Sequence, residues 1–243
     1  MLRRTEGIVL KTFPLGEADL IVSFLTPDHG LISAFAKSPR KTKSRFGSSL
    51  EPFTYSNISF WGKEDSKLPR LTQADIIEPF QELREDIATF TAASEAALFT
   101  LRLLAEGEAN KKAFYLLRGV LRMMLRPSDR SFVIVLYKIR LLDIAGYSPS
   151  LKGCARCGKT GYGFYTPDGS IICDSCIGGA ATRGLRGATP HHIRLSPGCV
   201  KLYESLRTWD MEKVFRIKPS LGMMKELQSL LGAHVEYLHP EKR

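Results

Sequence analysis

For roughly the first 80 residues, apolar and polar positions alternate in short runs separated by turn residues. Residues 7–13, 18–25, 31–36, 53–61 and 70–77 are each rich in β-branched or aromatic side chains, and each predicts a strand. Thr26-Pro27-Asp28-His29-Gly30 is a reverse-turn sequence between the second and third, and residues 62–69 form a polar loop before the fifth. In the fourth run the apolar face changes from Phe53 and Tyr55 to Ile58 and Phe60, which predicts either a β-bulge or a misplaced strand boundary. Short strands at this density suit a small closed barrel. A five-stranded OB-type Greek-key barrel is the expectation, and an SH3-like barrel is the alternative.

Beyond Pro79 the apolar period lengthens to about three and a half. Phe80, Leu83, Ile87, Phe90, Ala97, Leu98, Leu101 and Leu104 predict one face of a single long helix ended by Gly107, placing a domain boundary near residue 79. A second helix is expected over 111–126, with Phe114, Leu117, Leu121, Met124 and Leu125 buried and Pro127 as its stop. Ser128 or Asp129 can cap a third over 130–145, whose mostly apolar sequence predicts a central position and which Gly146 closes. Ser196-Pro197 starts another helix over 199–209, and a last one is expected over about 220–231. The expected organisation is α+β and multidomain. It comprises an N-terminal OB-type barrel (1–79), a helical domain (80–147 and 182–243) and an inserted metal-binding module (148–181).

That module is defined by Cys154-Ala155-Arg156-Cys157 and Cys173-Asp174-Ser175-Cys176, two C-x-x-C pairs separated by fifteen residues. Each pair can turn two thiolates inward, and four such soft ligands suit a tetrahedral Zn²⁺. Residues 162–165 and 170–172 flank the turn Thr166-Pro167-Asp168-Gly169, so a hairpin can carry one knuckle to the other as a zinc ribbon. Two disulfides or a redox-active pair are the competing readings. With four protein ligands no place remains for water or substrate, so the expected zinc is structural. Cys199 lies apart and is expected in a helix core.

The segment Gly153 to Thr160 also matches the phosphate-loop pattern G-x-x-x-x-G-K-[ST]. Its context argues against nucleotide binding. Residues 148–152 read as a turn instead of a buried strand, Gly161-Tyr162-Gly163 is no helix start, and two of the free positions are zinc ligands. His29, His191, His192, His234 and His239 fall outside any nucleophile or metalloprotease pattern, and no enzyme is expected.

Composition narrows the class of partner. The chain has 243 residues, 44 % hydrophobic, and a formal net charge of +10, favouring a polyanionic partner, nucleic acid before a membrane surface. The apolar run 7–10 is far shorter than a signal-peptide core, and 132–137 is too short to cross a bilayer, so neither export nor membrane insertion is expected. Charge concentrates in two places. Lys37, Arg40, Lys41, Lys43 and Arg45 crowd a loop with Ser38-Pro39 and Gly47-Ser48-Ser49, and no acid lies between His29 and Leu50. Arg118, Arg122 and Arg126 recur every four residues on the second helix, where eight cations between Lys111 and Arg140 face one acid, Asp129. In each place a solvated charge run competes with a binding site: phosphate contacts for the loop, a second polyanion or acidic-peptide site for the helix. Phe46, Phe53, Tyr55 and Trp61 are the aromatics near enough in sequence to stack bases, with core packing as the simpler role for each.

Gly7-Ile8-Val9-Leu10, Glu17, Thr26 to Gly30, Ala36-Lys37, Lys43 to Phe46 and Leu50-Glu51-Pro52-Phe53 together resemble the N-terminal domain of the RecO family of bacterial recombination mediators. A helical domain, with a four-cysteine zinc module in many members, follows in that family, so the resemblance spans essentially the whole chain. Ser38-Pro39 departs from it, standing where a glycine and a small residue are usual. The resemblance implies a DNA-repair role. It implies binding of single- and double-stranded DNA without sequence preference, strand annealing, and recombinase loading onto strands covered by single-strand-binding protein, without ATP. It also implies two protein partners, RecR and the acidic C-terminal tail of the single-strand-binding protein, and a cytoplasmic, nucleoid-associated site of work. The alternative reading is a zinc-ribbon adaptor that docks acidic peptides or repair proteins without touching DNA. A phosphate-loop enzyme is the third.

Overall fold

Short strands with apolar inner faces pair edge to edge until the first sheet closes on itself. β1 (Leu2–Leu15), β2 (Asp19–Thr26), β3 (Gly30–Ala36), β4 (Tyr55–Trp61) and β5 (Arg70–Glu78) form a closed barrel in the order β1-β2-β3-β5-β4. Neighbours are antiparallel except β3 and β5, which meet in parallel at Phe35↔Arg70 and Ala36↔Leu71. This is the OB-type barrel expected. Val9, Val22, Phe24, Ala34, Ala36, Ile58, Phe60, Leu71 and Ala74 fill it, joined by Phe46 and Leu50 from the long β3–β4 connection. The change of apolar face in the fourth run is explained by register shifts at Tyr55/Ser56 and Ser59/Phe60. Phe53 lies before β4, with a left-handed φ of 70°.

The computed structural model describes residues 1–41, 44–63, 66–126, 129–160, 163–166, 169–181 and 193–238. They form two units, Met1–Tyr137 and Lys138–Arg243. The first holds the barrel and α1 (Glu82–Glu85), α2 (Ile87–Leu103), α3 (Lys111–Met124) and the start of α4 (Arg130–Ile144).

The single long helix expected after residue 79 is broken. Asp86 is extended (φ −117°, ψ 126°), and its carboxylate accepts from Thr89 N at 2.9 Å and Thr89 Oγ1 at 2.5 Å, starting α2 afresh. The buried face of α2 matches the expected one only at Ala97. Ile87 is 84 % and Leu98 56 % exposed, whereas Ala92, Ala93, Ala96, Ala97 and Thr100 are buried. Small side chains allow close approach there, which a reading weighted by bulk overlooks. In α3, Ala113 and Val120 join the expected buried set, and Leu125, which follows the last helical residue, is exposed. Asp129 caps α4 through Ser131 N at 2.9 Å, while Pro127 and Ser128 lie outside the described residues.

The connection between α2 and α3 runs beside β3. Gly107 N donates to Leu31 O at 2.9 Å, and Leu31 bridges Glu106. The turn into β3 is held by Thr26, whose Oγ1 accepts from His29 N and donates to Gly30 O, each at 3.0 Å.

In the second unit β6 (Ser150–Cys154), β7 (Gly163–Tyr165), β8 (Ser170–Ile172) and β9 (Ile193–Leu195) form one sheet, ordered β6-β8-β7-β9, with α5 (Asp174–Ala181) after β8. Ser196 caps α6 (Pro197–Thr208), Asp210 caps a short α7 (Met211–Val214) that the sequence reading missed, and α8 (Leu221–Leu238) runs a full seven residues past the expected end. Cys199 is fully buried in α6, as expected, and burial pushes its thiol up to about 12. One buried histidine joins three segments here. His234 of α8 meets the Tyr165 hydroxyl through Nδ1 at 2.6 Å and the Tyr147 carbonyl through Nε2 at 2.5 Å. The carbonyl can only accept, so Nε2 carries the proton and Nδ1 accepts from tyrosine.

Candidate nucleic-acid interface and metal centre

The basic loop is tied to the β1–β2 turn at its start and to the barrel core at its end. Ser38, with φ 55°, donates its backbone N–H to Asp19 Oδ1 at 2.7 Å, and Arg40 N donates to Ala18 O at 3.3 Å. Phe46 and Leu50 then enter the core. Lys37, Arg40, Lys41 and Arg45 are all exposed between these anchors, and Lys43 lies outside the described residues. Arg45 is partly committed: its guanidinium lies 4.8 Å from the Phe46 ring centroid and reaches Leu71 O at 3.4 Å. The other three project from one short, anchored stretch.

Of the four aromatics singled out from the sequence, Phe46, Phe53 and Tyr55 are buried, which leaves Trp61, 60 % exposed. Phe13, 58 % exposed on β1, was missed because it precedes the basic loop by more than twenty residues and meets it only through strand pairing.

The arginines of α3 are less available than their spacing suggests. Arg122 is gripped by Glu78 of β5 at 2.7 to 3.1 Å, and Arg118 donates to the Tyr55 hydroxyl at 3.3 Å with Tyr115 5.0 Å from its guanidinium carbon. Lys111 pairs with Asp28 and Arg130 with Asp86. Acids outside the helical window therefore neutralise cations for which no partner is visible within it.

The four cysteines come together. All four Sγ atoms lie within 4.8 Å of one another, and Cys157 and Cys173 are 3.7 Å apart. A tetrahedron of 2.3 Å Zn–S bonds has edges of about 3.8 Å, so the spacing fits a metal and is far longer than the S–S bond of about 2.05 Å. Cys154 ends β6, Cys157 follows in a tight turn closed by Gly158 N to Cys154 O at 2.8 Å, Cys173 follows β8, and Cys176 lies in the first turn of α5. The Cys173 N–H aimed at its sulfur holds the Cys154 thiol down near 6, whereas hydrogen bonding with Cys157 and Cys173 pushes Cys176 up to about 12. Four sulfurs this close cannot all ionise without a cation among them.

Residues 150–154 are a strand, with Leu151 buried, where a turn was expected before the phosphate-loop match. Two of the motif's positions are nevertheless thiols of the cluster, and among the described residues the next element is β7. Gly161, Tyr162, Pro167, Asp168, His191, His192 and His239 lie outside the described residues. No helix among those described is long and apolar enough to cross a membrane.

Comparison with known proteins covers almost the entire chain. The family described as "Recombination protein O N terminal" matches residues 1–80, and "Recombination protein O C terminal" matches residues 84–242. The DNA repair protein RecO of Thermodesulfovibrio yellowstonii is 43 % identical, over 95 % of this chain and 91 % of that protein. That of Streptomyces coelicolor is 33 % identical, over 98 % and 93 %, and that of Dehalococcoides mccartyi 30 %, over 97 % and 90 %. With both halves matched in order around an OB-type barrel and a four-cysteine cluster, the chain belongs to the RecO family.

Proposed function

We propose that this protein is a recombination mediator in DNA repair that grips DNA phosphates with Lys37, Arg40, Lys41, Lys43 and Arg45. Family membership supports the repair role. The observation that carries the DNA reading is the anchored loop beside the β1–β2 turn, whose described cations are exposed and which contains no acid. Phosphate contacts carry no base information, so binding is without sequence preference and covers single and double strands. Annealing then requires only that two screened strands be held close with their bases unblocked. The wider reading includes recombinase loading on strands covered by single-strand-binding protein, in the cytoplasm, with RecR and that protein's acidic tail as partners. A tail docking on α3 would approach Arg126 and compete with Glu78 for Arg122. The cysteine cluster holds one structural Zn²⁺ through Cys154, Cys157, Cys173 and Cys176; the ion fixes the two knuckles together and takes no part in chemistry.

The deciding experiment is fluorescence anisotropy of a labelled single-stranded oligonucleotide at several salt concentrations, using the intact protein and a variant with alanine at the five loop positions. The expected result is weaker binding with a shallower log-salt slope, by about 0.7 for each phosphate that the variant no longer neutralises. Unchanged binding by the variant would move the DNA site away from the loop. No binding by either protein would favour the adaptor reading.

A further inference from the structure

Strand register places aromatic residues in a row across the outer wall of the barrel. Phe13 of β1 pairs with Ile21 of β2, Ile21 with Phe35 of β3, Phe35 with Arg70 of β5, and Arg70 with Trp61 of β4. Their sequence neighbours Val22, Ala34, Ala36, Phe60 and Leu71 fill the core, so alternation turns this row outward. Phe13 and Trp61 are 58 % and 60 % exposed, and Phe35 is half-buried. Adjacent strands are about 4.8 Å apart, so successive aromatics, two strands apart, are spaced about 10 Å along the wall. Scattered exposed aromatics need no explanation. Three at even spacing, with a cation between the second and third, make a patterned surface. Lys37 lies two residues beyond Phe35 and opens the basic loop, so phosphate contacts and ring faces adjoin.

We infer that Phe13, Phe35 and Trp61 form a base-stacking belt that distinguishes unpaired from paired strands, with Arg70 between the rings contacting the backbone. The inference rests on the DNA reading above and deepens it. A duplex keeps its bases stacked on each other and offers this wall only phosphates. A single strand offers every base a ring face, irrespective of sequence. The loop thus grips both forms, and the belt adds affinity for one.

The test uses the full chain and the single variants Phe13→Ala, Phe35→Ala and Trp61→Ala, titrated with a labelled dT oligonucleotide and with a blunt duplex. Each variant is expected to weaken single-strand binding by about tenfold or more, leave duplex binding within about twofold, and keep the log-salt slope. The chain has two tryptophans, so Trp209→Phe leaves Trp61 as the sole indole reporter. Its fluorescence should be quenched by the single strand and not by the duplex. Equal losses for both DNA forms, or unchanged single-strand affinity with an unquenched Trp61, would overturn the belt while leaving the loop reading intact. If the unmodified protein bound neither form, the DNA reading itself would fall, and the belt with it. Phe13→Leu guards against misfolding, since it keeps the bulk and removes the ring; restored binding there would also count against stacking.

Discussion

The guanidinium of Arg122 closes on the carboxylate of Glu78 with contacts of 2.7 to 3.1 Å, joining α3 to the end of β5. Glu78 makes the Arg122 proton harder to remove, chiefly through these hydrogen bonds. The side chains remain 50 % and 26 % exposed, so the pair contributes about 1 kcal/mol or less. Arg122→Ala and Glu78→Ala should each lower the urea midpoint slightly, and the double variant should lose no more than the larger single loss. Fully additive losses would mean that the two side chains stabilise the protein independently.

Metal analysis of the purified protein should find about one zinc per chain, released by a strong chelator or by a thiol-modifying mercurial. Cys154→Ser or Cys176→Ser should abolish stoichiometric zinc and lower the unfolding temperature of the second unit. The first unit contains the proposed loop, so its DNA affinity should survive zinc loss. Stoichiometric zinc in both serine variants would show that these thiols are not ligands.

Burial holds His234 below the usual histidine range. The folded state therefore binds its proton less readily than the unfolded chain. The stabilisation is fully present above about pH 6.5 and declines as pH falls below it. Protonation would also leave Nδ1 as a donor facing the Tyr165 hydroxyl and prevent it from accepting. Urea unfolding at pH 7.5 and 5.5 should show a loss in the parent protein that His234→Gln reduces. An equal loss in both would place the acid sensitivity elsewhere.

Gly30 has a φ of +61°, and a Cβ there would lie 2.0 Å from Glu108 O, a backbone atom with little freedom to move. Gly30→Ala should cost more than about 2 kcal/mol by chemical unfolding. Gly47 has a similar φ of +51° but open space around it, so Gly47→Ala should cost about 1 kcal/mol. Similar costs at both sites would show that the close approach is not rigid.

The barrel was legible because its strands alternate in short runs and its turns carry their own chemistry, as at Thr26 to Gly30. The cysteine cluster was legible because ligand spacing is local. The helices were read less well. Ala92, Ala93 and Ala96 face inward while Ile87 and Leu98 face outward, and no ranking by hydrophobicity anticipates that small residues make up most of the buried face. Asp86, which restarts the helix, was overlooked inside an apparently continuous period.

At the candidate site, the loop cations could be named from the sequence because they adjoin one another. The partners of Arg118, Arg122 and Lys111 could not, since Tyr55, Glu78 and Asp28 lie far away along the chain. Phe13, Phe35 and Trp61 share no sequence neighbourhood at all. Their alignment follows from barrel closure and the short parallel pairing of β3 with β5, neither of which has a local signature.

The bond from Gly107 to Leu31 bears on where the chain could be cut. Leu31 lies beyond the reach of the short β5 pairing, so its outward carbonyl is satisfied by a loop that belongs, in sequence, to the helices. A fragment ending at Pro79 would keep all five strands yet present a stretch of β3 as an open template on which a second copy could build. Such a truncation would be expected to aggregate, and the shortest piece able to persist as a solitary barrel extends beyond Gly107.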